Sequence, residues 1–467
     1  MNIRRSKTVA TATPLTDLGQ CIAALKRSDN LIRVRSTVDP KFELAGIAHA
    51  LEGGKPVLFE RVKGHEHPVL TGLLWNRTIV ASLFGVAAER VPFRINEAVG
   101  QWQQDKTALP STTVDRGPAN EVVEDGVDLS LLPAPLHALG DGGRYLDASL
   151  VVARHPLSGG INVSIHRMMI TRKNRLSFLI DPGRHLGEYA DIAESRGETL
   201  PVTINNGVGL APWIVSSLPR LGDGKPAIAN HLAGRALDWM RAQTVDVPAY
   251  ADAQFVIEAE ILPGAREWEA PFAEVTGYYG SRAKRYVMRV KKITRRKKPV
   301  FHTVLSGQEV WNAVGFTAEA AIFGAVHAKI PEVRAVFLPP GGCGFYQAVV
   351  QVERNRAGLG REVIDATFKA FRSLQRVVVV DSDVNLYDAI DVDWAITTRC
   401  NADTDLVILP GQEGHILNPM VTLDADGKGG TVTKVGIDAL VPAGAAPEQF
   451  ARVKFKQVNL DSYDIKF

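Results

Sequence analysis

The stretch INVSIHRMMITRKNRLSFLI, residues 161–180, alternates apolar and polar side chains on both sides of a charged turn, TRKNR. Such alternation is typical of two short antiparallel strands joined by a turn. In a regular strand, Asn162, Ser164 and His166 lie on one face of the sheet and Arg167 lies on the other. The hairpin also returns the next segment, DPGRH, toward the first strand. The stretch therefore predicts a β-rich centre with polar side chains on one face.

This polar face has two interpretations. An asparagine oxygen and a histidine nitrogen can share a divalent ion that also holds a phosphate. Polar side chains on a solvated surface produce the same pattern. The residues alone leave both interpretations open.

Three regions of the chain differ in their hydrophobic pattern. Short β-like segments separated by turns continue through residues 116–310 and are typical of a small barrel or sandwich. Residues 1–115 and 311–467 instead alternate helical apolar stripes with short apolar strands, which indicates α/β structure. In the first region, we expect a helix from Asp39, with Pro40 at its first position. The sequence thus predicts a mixed α/β chain of three domains.

Composition narrows the class of protein. The 467 residues are 45% hydrophobic and 22% charged, which is an ordinary globular mixture, and the net charge of +3 is too small to recruit nucleic acid or a membrane surface. Three widely spaced cysteines fit a reducing compartment, so we expect a cytoplasmic protein. We find no secretory signal, and no apolar run approaches the roughly 20 residues that span a bilayer.

Several other motifs have simple structural explanations. A dense basic cluster, residues 289–298, is interpreted as a solvated hairpin turn more readily than as a phosphate site. Cys343, in a glycine turn, is more readily a small packed residue than a nucleophile. Acids following the apolar strand RVVVVD lack the spacing of a calcium loop, so we expect them to cap helices and form turns.

The segment EAPFAE carries two carboxylates, Glu269 and Glu274, around a proline. Residues five apart do not share a face in a regular strand or helix. Proline removes a backbone donor, so we expect an irregular loop or edge here. The two acids are either solvated surface or part of a site.

Several motifs in one order resemble the UbiD-type reversible decarboxylases, which use prenylated FMN. They are NVSIHR, PGRH, EAPFAE with VTGYY, RVVVVDSDVNLYDAIDVDWAITTR and KVGIDA, preceded by LIRVRSTVDPKFELAGIAHAL and PVLFERVKGHEHPVL. The resemblance covers most of the chain. It implies an N-terminal α/β domain, a central split β-barrel that binds flavin, and a C-terminal α/β domain that makes oligomer contacts.

The resemblance also assigns catalytic roles. It places the catalytic group on Arg167, Glu269 and Glu274, although both glycines of the family motif are alanines here. The implied reaction is non-oxidative, reversible decarboxylation of an aromatic, heteroaromatic or α,β-unsaturated acid through a covalent adduct with prenylated FMN. Glu274 then protonates the product carbon. The alternative is a relative that binds flavin or a partner, with an impaired metal site and no decarboxylase activity.

Cofactor, metal and partner expectations follow from the same resemblance. The cofactor-binding residues are Asn162, Ser164, Ile165, His166, Arg167, Arg184, His185, Ser216, Ser217 and Pro219. Asn162 and His185 match ligands of Mn²⁺ or Mg²⁺, with K⁺ nearby. Ala229 stands where the family has a third, glutamate ligand, so His231 is the candidate replacement, and Gln375 replaces a phosphate-facing lysine. The expected partners are a flavin prenyltransferase that supplies the cofactor, the conjugated acid and CO₂, and further copies of the chain in a dimer or hexamer.

Overall fold

The N-terminal part of the protein is a small α/β unit. The computed structural model describes residues 13–180, 183–218, 221–425, 429–459 and 462–464. The first elements are α1 (Leu18–Arg27), β1 (Ile32–Val38), α2 (Glu43–Ala50), β2 (Val57–Val62), β3 (Val69–Thr71), α3 (Arg77–Phe84), α4 (Val91–Gln104) and β4 (Thr113–Val114). β1, β2 and β3 lie side by side in one sheet. The buried stripe of α1, which contains Leu18, Ile22 and Leu25, packs into the adjoining core.

The helix expected from Asp39 begins later than predicted. α2 starts at Glu43, because the preceding residues pair with a distant segment. Phe42 donates its N–H to the carbonyl of Leu136 over 2.8 Å, and Leu136 donates to the carbonyl of Pro40 over 3.0 Å. These bonds hold residues 40–42 outside the helix.

A large sheet forms the centre of the molecule. The elements of this central region are β5 (Val122–Val123), β6 (Tyr145–Leu146), β7 (Leu150–Arg154), β8 (Ile161–Ile165), β9 (Met168–Arg172), β10 (Arg175–Phe178), α5 (His185–Ser195), β11 (Leu200–Asn206), α6 (Leu210–Ser216), α7 (Lys225–Ala233), β12 (Trp239–Met240), β13 (Ala249–Tyr250), β14 (Phe255–Glu269), β15 (Phe272–Ala273), β16 (Tyr279–Gly280), β17 (Ala283–Arg295) and β18 (Phe301–His302). In the described residues, nine strands lie in the order β6-β9-β10-β17-β14-β11-β7-β8, with β5 on β17.

The central sheet contains the hairpin that the opening stretch predicts. β9 and β10 are antiparallel and meet at Arg172 and Arg175. β8 lies at the other end of the sheet, antiparallel to β7. The helices α5, α6 and α7 all pack against β8. This strand is therefore lined by three helices, which position the candidate site.

The last strand of the central region crosses into the N-terminal sheet. β18 runs parallel to β3, with Phe301 opposite Val69 and His302 opposite Leu70. The side chain of Asn206, at the end of β11, holds the same strand: it accepts the N–H of His302 over 2.9 Å and donates to its carbonyl over 2.7 Å. The two sheets are thereby joined through one strand.

The C-terminal part is a second α/β unit. It contains α8 (Gln308–His327), β19 (Val333–Phe337), β20 (Gln347–Val352), α9 (Leu359–Ala370), β21 (Arg376–Asp381), α10 (Ala389–Arg399), β22 (Leu406–Glu413), β23 (Thr422–Leu423) and β24 (Gly430–Ala439). The strand order is β19-β20-β21-β24-β22, with β23 on β24. The predicted mixed α/β organisation is confirmed. No helix in the described ranges is long and apolar enough to cross a membrane.

Candidate active site

The side chain of Arg167 contacts both carboxylates of the EAPFAE segment. β8 ends at Ile165, and Arg167 lies in the short connection to β9. Its Nε and Nη2 donate to the two carboxylate oxygens of Glu269 over 3.0 and 3.1 Å. Its Nη1 forms an ion pair with Glu274. The structure thus brings together the three residues that the resemblance assigns to catalysis, which we name the acid–arginine cluster.

Burial strengthens the interactions within the acid–arginine cluster. The side chain of Glu269 is fully buried, and those of Arg167 and Glu274 are 11% and 10% exposed. The hydroxyl of Tyr145 donates to Glu269 over 3.1 Å and accepts the N–H of Ala270 over 3.2 Å. Burial, and then the charge of Glu269, raise the pKa of Tyr145, so its phenol keeps its proton. Glu269 is consequently fixed in one orientation by two neighbours.

The EAPFAE segment changes structure within six residues. Glu269 is the last residue of β14, and a cis peptide bond then joins Ala270 to Pro271. β15 and β16 form a short antiparallel hairpin, in which Glu274 donates its N–H to the carbonyl of Tyr278 over 2.8 Å. The expected irregular segment therefore begins after Glu269, which itself ends a central strand. The hairpin brings the second carboxylate back to the same guanidinium.

The segment around Asp141 holds this loop from outside. Asp141 accepts the N–H of Ala273 over 2.9 Å, and Gly142 donates its N–H to the carbonyl of Pro271 over 2.7 Å. A Cβ atom at Gly142 would lie 2.8 Å from the carbonyl oxygen of Ala270, so a larger residue does not fit. The position of the loop is thus set by contacts outside the EAPFAE segment.

The polar face of β8 is continuous. Asn162 Nδ2 donates to Ser164 Oγ over 3.3 Å, and Ser164 Oγ lies 2.9 Å from His166 Nε2. His166 Nδ1 lies 3.2 Å from the carbonyl oxygen of Leu179, which follows β10. Because a carbonyl only accepts, Nδ1 is the donor. The predicted shared face is confirmed, and Leu179 lies at the end of β8; the first two residues of the DPGRH segment, Asp181 and Pro182, lie outside the described residues.

A group of cationic side chains lies at the start of β8, where three helices meet. Lys225, the first residue of α7, is 7% exposed, and its Nζ donates to the carbonyl of Ser216, the last residue of α6, over 2.7 Å. Burial, and then the charge of Arg184, lower the pKa of Lys225 to about 7. Asn162 Oδ1 is buried nearby and has no hydrogen-bond partner among the described atoms. We name Lys225, Arg184, Asn162 and the Ser216 carbonyl the cationic pocket.

The third metal ligand that the resemblance implies, a glutamate, is absent from its expected position. Ala229 is 1% exposed and presents only a methyl group. His231 lies about 200° from Ala229 around α7, on a different face of the helix. No cluster of three His, Cys, Asp or Glu side chains able to hold a metal occurs within the described ranges. The assignment of Asn162, His185 and His231 as metal ligands stays a prediction.

The other predicted cofactor residues surround the same strand. Ile165 ends β8 and packs against the apolar core, while His185 is the first residue of α5 and Arg184 its N-cap. Ser217 is the C-cap of α6. Pro219 lies outside the described residues. Apart from Pro219, the predicted positions lie on β8, in the connection that follows it, or at the ends of the helices beside it.

Most of the basic cluster belongs to a strand, so the prediction of a hairpin turn is wrong for residues 289–295, while residues 296–298 lie in the bend that follows. Residues up to Arg295 belong to β17, which pairs with β14. Arg289 and Lys291 both bind Glu260 of β14, over 3.0 and 2.9 Å. Acids supplied by neighbouring elements neutralise these charges, which explains why so basic a segment forms a strand.

The remaining motifs have the structural roles expected of them. Asp388 caps α10 by accepting the N–H of Ile390, and Asp383 pairs with Arg399. Burial raises the pKa of Cys343, which disfavours a reactive thiolate. Gln375 lines a cavity of about 470 Å³ in the C-terminal unit.

Two residues of the site were not predicted from the sequence, and only one of them carries a signal there. Tyr145 is an isolated aromatic residue between a glycine turn and a strand, and its contact with Glu269 spans more than a hundred residues. Lys225 had a usable signal, because it precedes Ala229 by four residues and so shares its face of a helix. A lysine one turn before the missing glutamate indicates that the charge of the pocket is changed.

Family models match nearly the whole chain. Residues 22–99, 112–309 and 312–439 match, in turn, the N-terminal domain, the Rift-related domain and the C-terminal domain of 3-octaprenyl-4-hydroxybenzoate carboxy-lyase. An uncharacterized protein from the cooM 5′ region of Rhodospirillum rubrum is 42% identical, over 97% of this chain and 96% of its own. The anhydromevalonate phosphate decarboxylase of Methanosarcina mazei is 34% identical, over 90% of this chain and 94% of its own.

Solved structures give the same picture. The UbiD-class enzyme HmfF from Pelotomaculum thermopropionicum, in complex with FMN, superimposes with a TM-score of 0.89 at 37% identity, covering 96% of this chain and 100% of that one. An evolved dimeric form of that enzyme, in complex with prFMN, has a TM-score of 0.84 at 36% identity, covering 94% and 97%. The sequence and fold similarities therefore extend through all three parts of the molecule.

Proposed function

The chain belongs to the UbiD family and is a carboxy-lyase, and on that premise we propose that it decarboxylates a conjugated carboxylic acid, reversibly and without net oxidation, with prenylated FMN as cofactor. The substrate class is an aromatic, heteroaromatic or α,β-unsaturated acid. The observation that carries the proposal is the acid–arginine cluster, in which one buried guanidinium binds two carboxylates. A binding protein without catalysis has no need for this arrangement.

The residues along β8 fit a flavin mononucleotide. The cationic pocket offers positive charge for a phosphate at one end of the strand, and the acid–arginine cluster lies at the other. Between them, Ser164 and His166 offer hydrogen-bonding groups. When bound, prenylated FMN supplies the electron sink for the carbon–carbon cleavage. The protein must supply carboxylate binding, orientation and a proton.

Arg167 is the residue that fits the substrate carboxylate. A guanidinium binds carboxylates through paired N–H donors, and Arg167 already uses Nε and Nη2 in this way toward Glu269. Nη1 is the donor that a substrate carboxylate can take over from Glu274. The two acids and one arginine carry a net charge of −1, so a second anion favours protonation of the acid that loses its partner. Substrate binding thereby prepares Glu274 as a proton donor.

Glu274 completes the reaction. Cleavage releases CO₂ and leaves the bonding electron pair on the substrate side, and Glu274 transfers its proton to that carbon. The carboxylate formed then takes a proton from solvent, which its 10% exposed side chain can reach. The sum is the carboxylate plus one proton giving the product and CO₂. Carboxylation is the same sequence reversed.

Reconstitution tests this proposal. The full chain is purified after expression with and without a flavin prenyltransferase, and conjugated acids are screened for CO₂ release and for deuterium exchange at the product carbon. We expect both activities only after co-expression. We expect Glu274→Gln to abolish exchange, since the amide cannot transfer the proton.

A matched control is available on the same strand as Glu269. Glu267 pairs with Arg175 and Thr171 away from the acid–arginine cluster. Glu267→Gln therefore retains exchange. Wild-type exchange in Glu274→Gln would overturn the assignment of the proton donor.

The second candidate function is flavin or partner binding without decarboxylation. It is favoured by Ala229, which removes the carboxylate expected of a metal site. Cofactor uptake without CO₂ release or exchange, across the whole acid panel, would support it. The ion pair of Arg167 with Glu274 favours the enzyme instead.

We also propose that the protein forms a homo-oligomer, a dimer or a hexamer, through its C-terminal unit. Several large apolar side chains are exposed there, which supports this proposal; they include Ile408, Met420, Leu423, Val453 and Phe455. Light scattering on the purified chain measures the mass. A monomer at micromolar concentration would contradict the proposal.

A further inference from the structure

We propose that the cationic pocket binds the phosphate of the flavin without a divalent metal, with the ammonium of Lys225 taking the place of the metal ion. The inference rests on the proposed function, because it takes a flavin phosphate as the ligand. It assigns Lys225 as a further residue that binds the cofactor. As a consequence, cofactor binding does not require Mn²⁺ or Mg²⁺.

The first argument is the composition of the donor set. Hard divalent cations need oxygen ligands, and carboxylates above all. Here Ala229 replaces the acid, and the oxygens that the pocket offers, the Asn162 amide and the Ser216 carbonyl, are neutral. Asp223 is exposed and lies beside Gly160, so it does not supply the missing carboxylate. A metal in this pocket lacks an anionic ligand from the described residues.

The second argument is the position of Lys225. Residues four apart lie one above the other on a helix, so Lys225 lies one turn before Ala229 on the same face of α7. Its Nζ reaches back to the carbonyl of Ser216 over 2.7 Å. An ammonium therefore occupies the side of the helix from which a glutamate at position 229 would project.

The third argument is electrostatic. The described acids include none in an ion pair with Lys225, and Arg184 is close enough to disfavour its charged form. A divalent cation in the same pocket would be repelled by both positive charges. A phosphate dianion is attracted by both, and it offsets the cost of burying an unpaired ammonium. The pocket is complementary to an anion, not to a second cation.

The hydrogen-bonding capacity of Lys225 matches this role. An ammonium has three N–H donors, and one of them is used by Ser216. Two remain for phosphate oxygens or for the unpartnered Oδ1 of Asn162. The lysine can thus link the protein to the phosphate as a bound cation would, without exchange with solution.

A pair of ligands isolates the phosphate contribution. FMN and riboflavin share the same ring system and differ in the phosphate. The fluorescence of both flavins is quenched on binding, so titration of the full-length protein gives the dissociation constant of each. Titrations are run in EDTA and again with Mn²⁺ added. We expect wild-type affinity for FMN to be the same in both, and riboflavin to bind more weakly.

Two variants test Lys225 itself. We expect Lys225→Met to weaken FMN binding by about 10- to 100-fold, the effect of losing one charge-assisted contact, and to leave riboflavin unchanged. Lys173→Met, on the exposed turn between β9 and β10, is the control and leaves both unchanged. The double variant Lys225→Met/Ala229→Glu restores a carboxylate, so we expect it to bind FMN only with Mn²⁺.

Each outcome separates this inference from the proposed function. Wild-type FMN binding that is lost in EDTA would overturn the inference and leave the decarboxylase proposal standing. An equal loss of FMN and riboflavin in Lys225→Met would indicate a structural role and also overturn it. If neither flavin binds the wild type under any condition, both proposals fail.

Discussion

The buried cationic side chains at the two ends of strand β8 differ in how their charge is neutralised. At one end, Arg167 is surrounded by acids that satisfy it within the protein. At the other, Lys225 is buried near Arg184, and within the described part of the chain its hydrogen-bond partner is the backbone carbonyl of Ser216. Asn162 and Arg167 are five residues apart, about 17 Å along an extended strand. One end is complete before any ligand arrives, and the other is completed by its ligand.

This difference predicts where stability and where binding will change. Removing a member of the complete end leaves a buried charge unpaired, which destabilises the folded state. Removing the lysine of the incomplete end relieves an unpaired charge in the unliganded protein and damages only ligand binding. Four substitutions or conditions test this difference between the two ends of β8.

Arg167→Leu should have the largest effect, because it leaves Glu269 fully buried without its bidentate partner. We expect the free energy of unfolding of the unliganded protein to fall by about 3 to 5 kcal/mol, and decarboxylation to be lost. Urea unfolding measures the change in the free energy of unfolding. Arg175→Leu is the control, since the half-exposed pair of Arg175 with Glu267 contributes less than about 1 kcal/mol. Equal losses in the two variants would break the contrast.

Tyr145→Phe removes a smaller part of the same cluster. The hydroxyl donates a hydrogen bond to Glu269 and accepts one from the N–H of Ala270. Its removal leaves both buried groups without that hydrogen-bond partner. We expect a loss of about 1 to 3 kcal/mol in the free energy of unfolding. A change confined to activity, with unfolding unaltered, would show that the tyrosine positions the acid without stabilising the fold.

Gly280→Ala tests the space beside the proton donor. A Cβ atom there would lie 2.8 Å from Glu274 Oε1 and 3.2 Å from Arg167 Nη1. Because the carboxylate is the flexible end of a side chain, it can move, and we expect about a tenfold loss of kcat with little change in stability. Gly46→Ala, in α2, meets no atom within 4 Å and serves as control. Full activity in Gly280→Ala would contradict the tight placement of Glu274.

The pH dependence of stability tests the incomplete end. Burial, and then the charge of Arg184, lower the pKa of Lys225 from 10.5 to about 7 in the folded protein. Between these two pH values the unfolded chain therefore binds more protons than the folded protein. The free energy of unfolding of the unliganded wild type should therefore rise with pH, relative to Lys225→Met, by up to about 1.4 kcal/mol per pH unit. Parallel curves for the two proteins from pH 7 to 10 would show that Lys225 is not an unpaired buried charge.

Sequence patterns predicted the larger features because these depend on local periodicity. The hairpin of β9 and β10 and the polar face of β8 follow from residues that are close in the chain. The resemblance supplied the catalytic residues, whose roles stay predictions although the structure brings their side chains together. The grouping of Glu269 with Glu274 has no local cause, since the hairpin and the Asp141 segment create it.

The errors have a common physical origin in contacts between distant segments. The start of α2 is displaced by hydrogen bonds to Leu136, almost a hundred residues away. The basic strand β17 is possible because Glu260 lies on its neighbour. Each case required knowledge of a tertiary partner that periodicity does not contain.

The placement of β18 has a consequence for synthesis of the chain. β3 leaves the ribosome with one edge unpaired, and the strand that covers it, Phe301–His302, emerges more than two hundred residues later. At about 5 to 20 residues per second, that interval is on the order of 10 to 50 s. During this time the edge of the nascent sheet is open to pairing with other chains, so we expect it to need protection during translation.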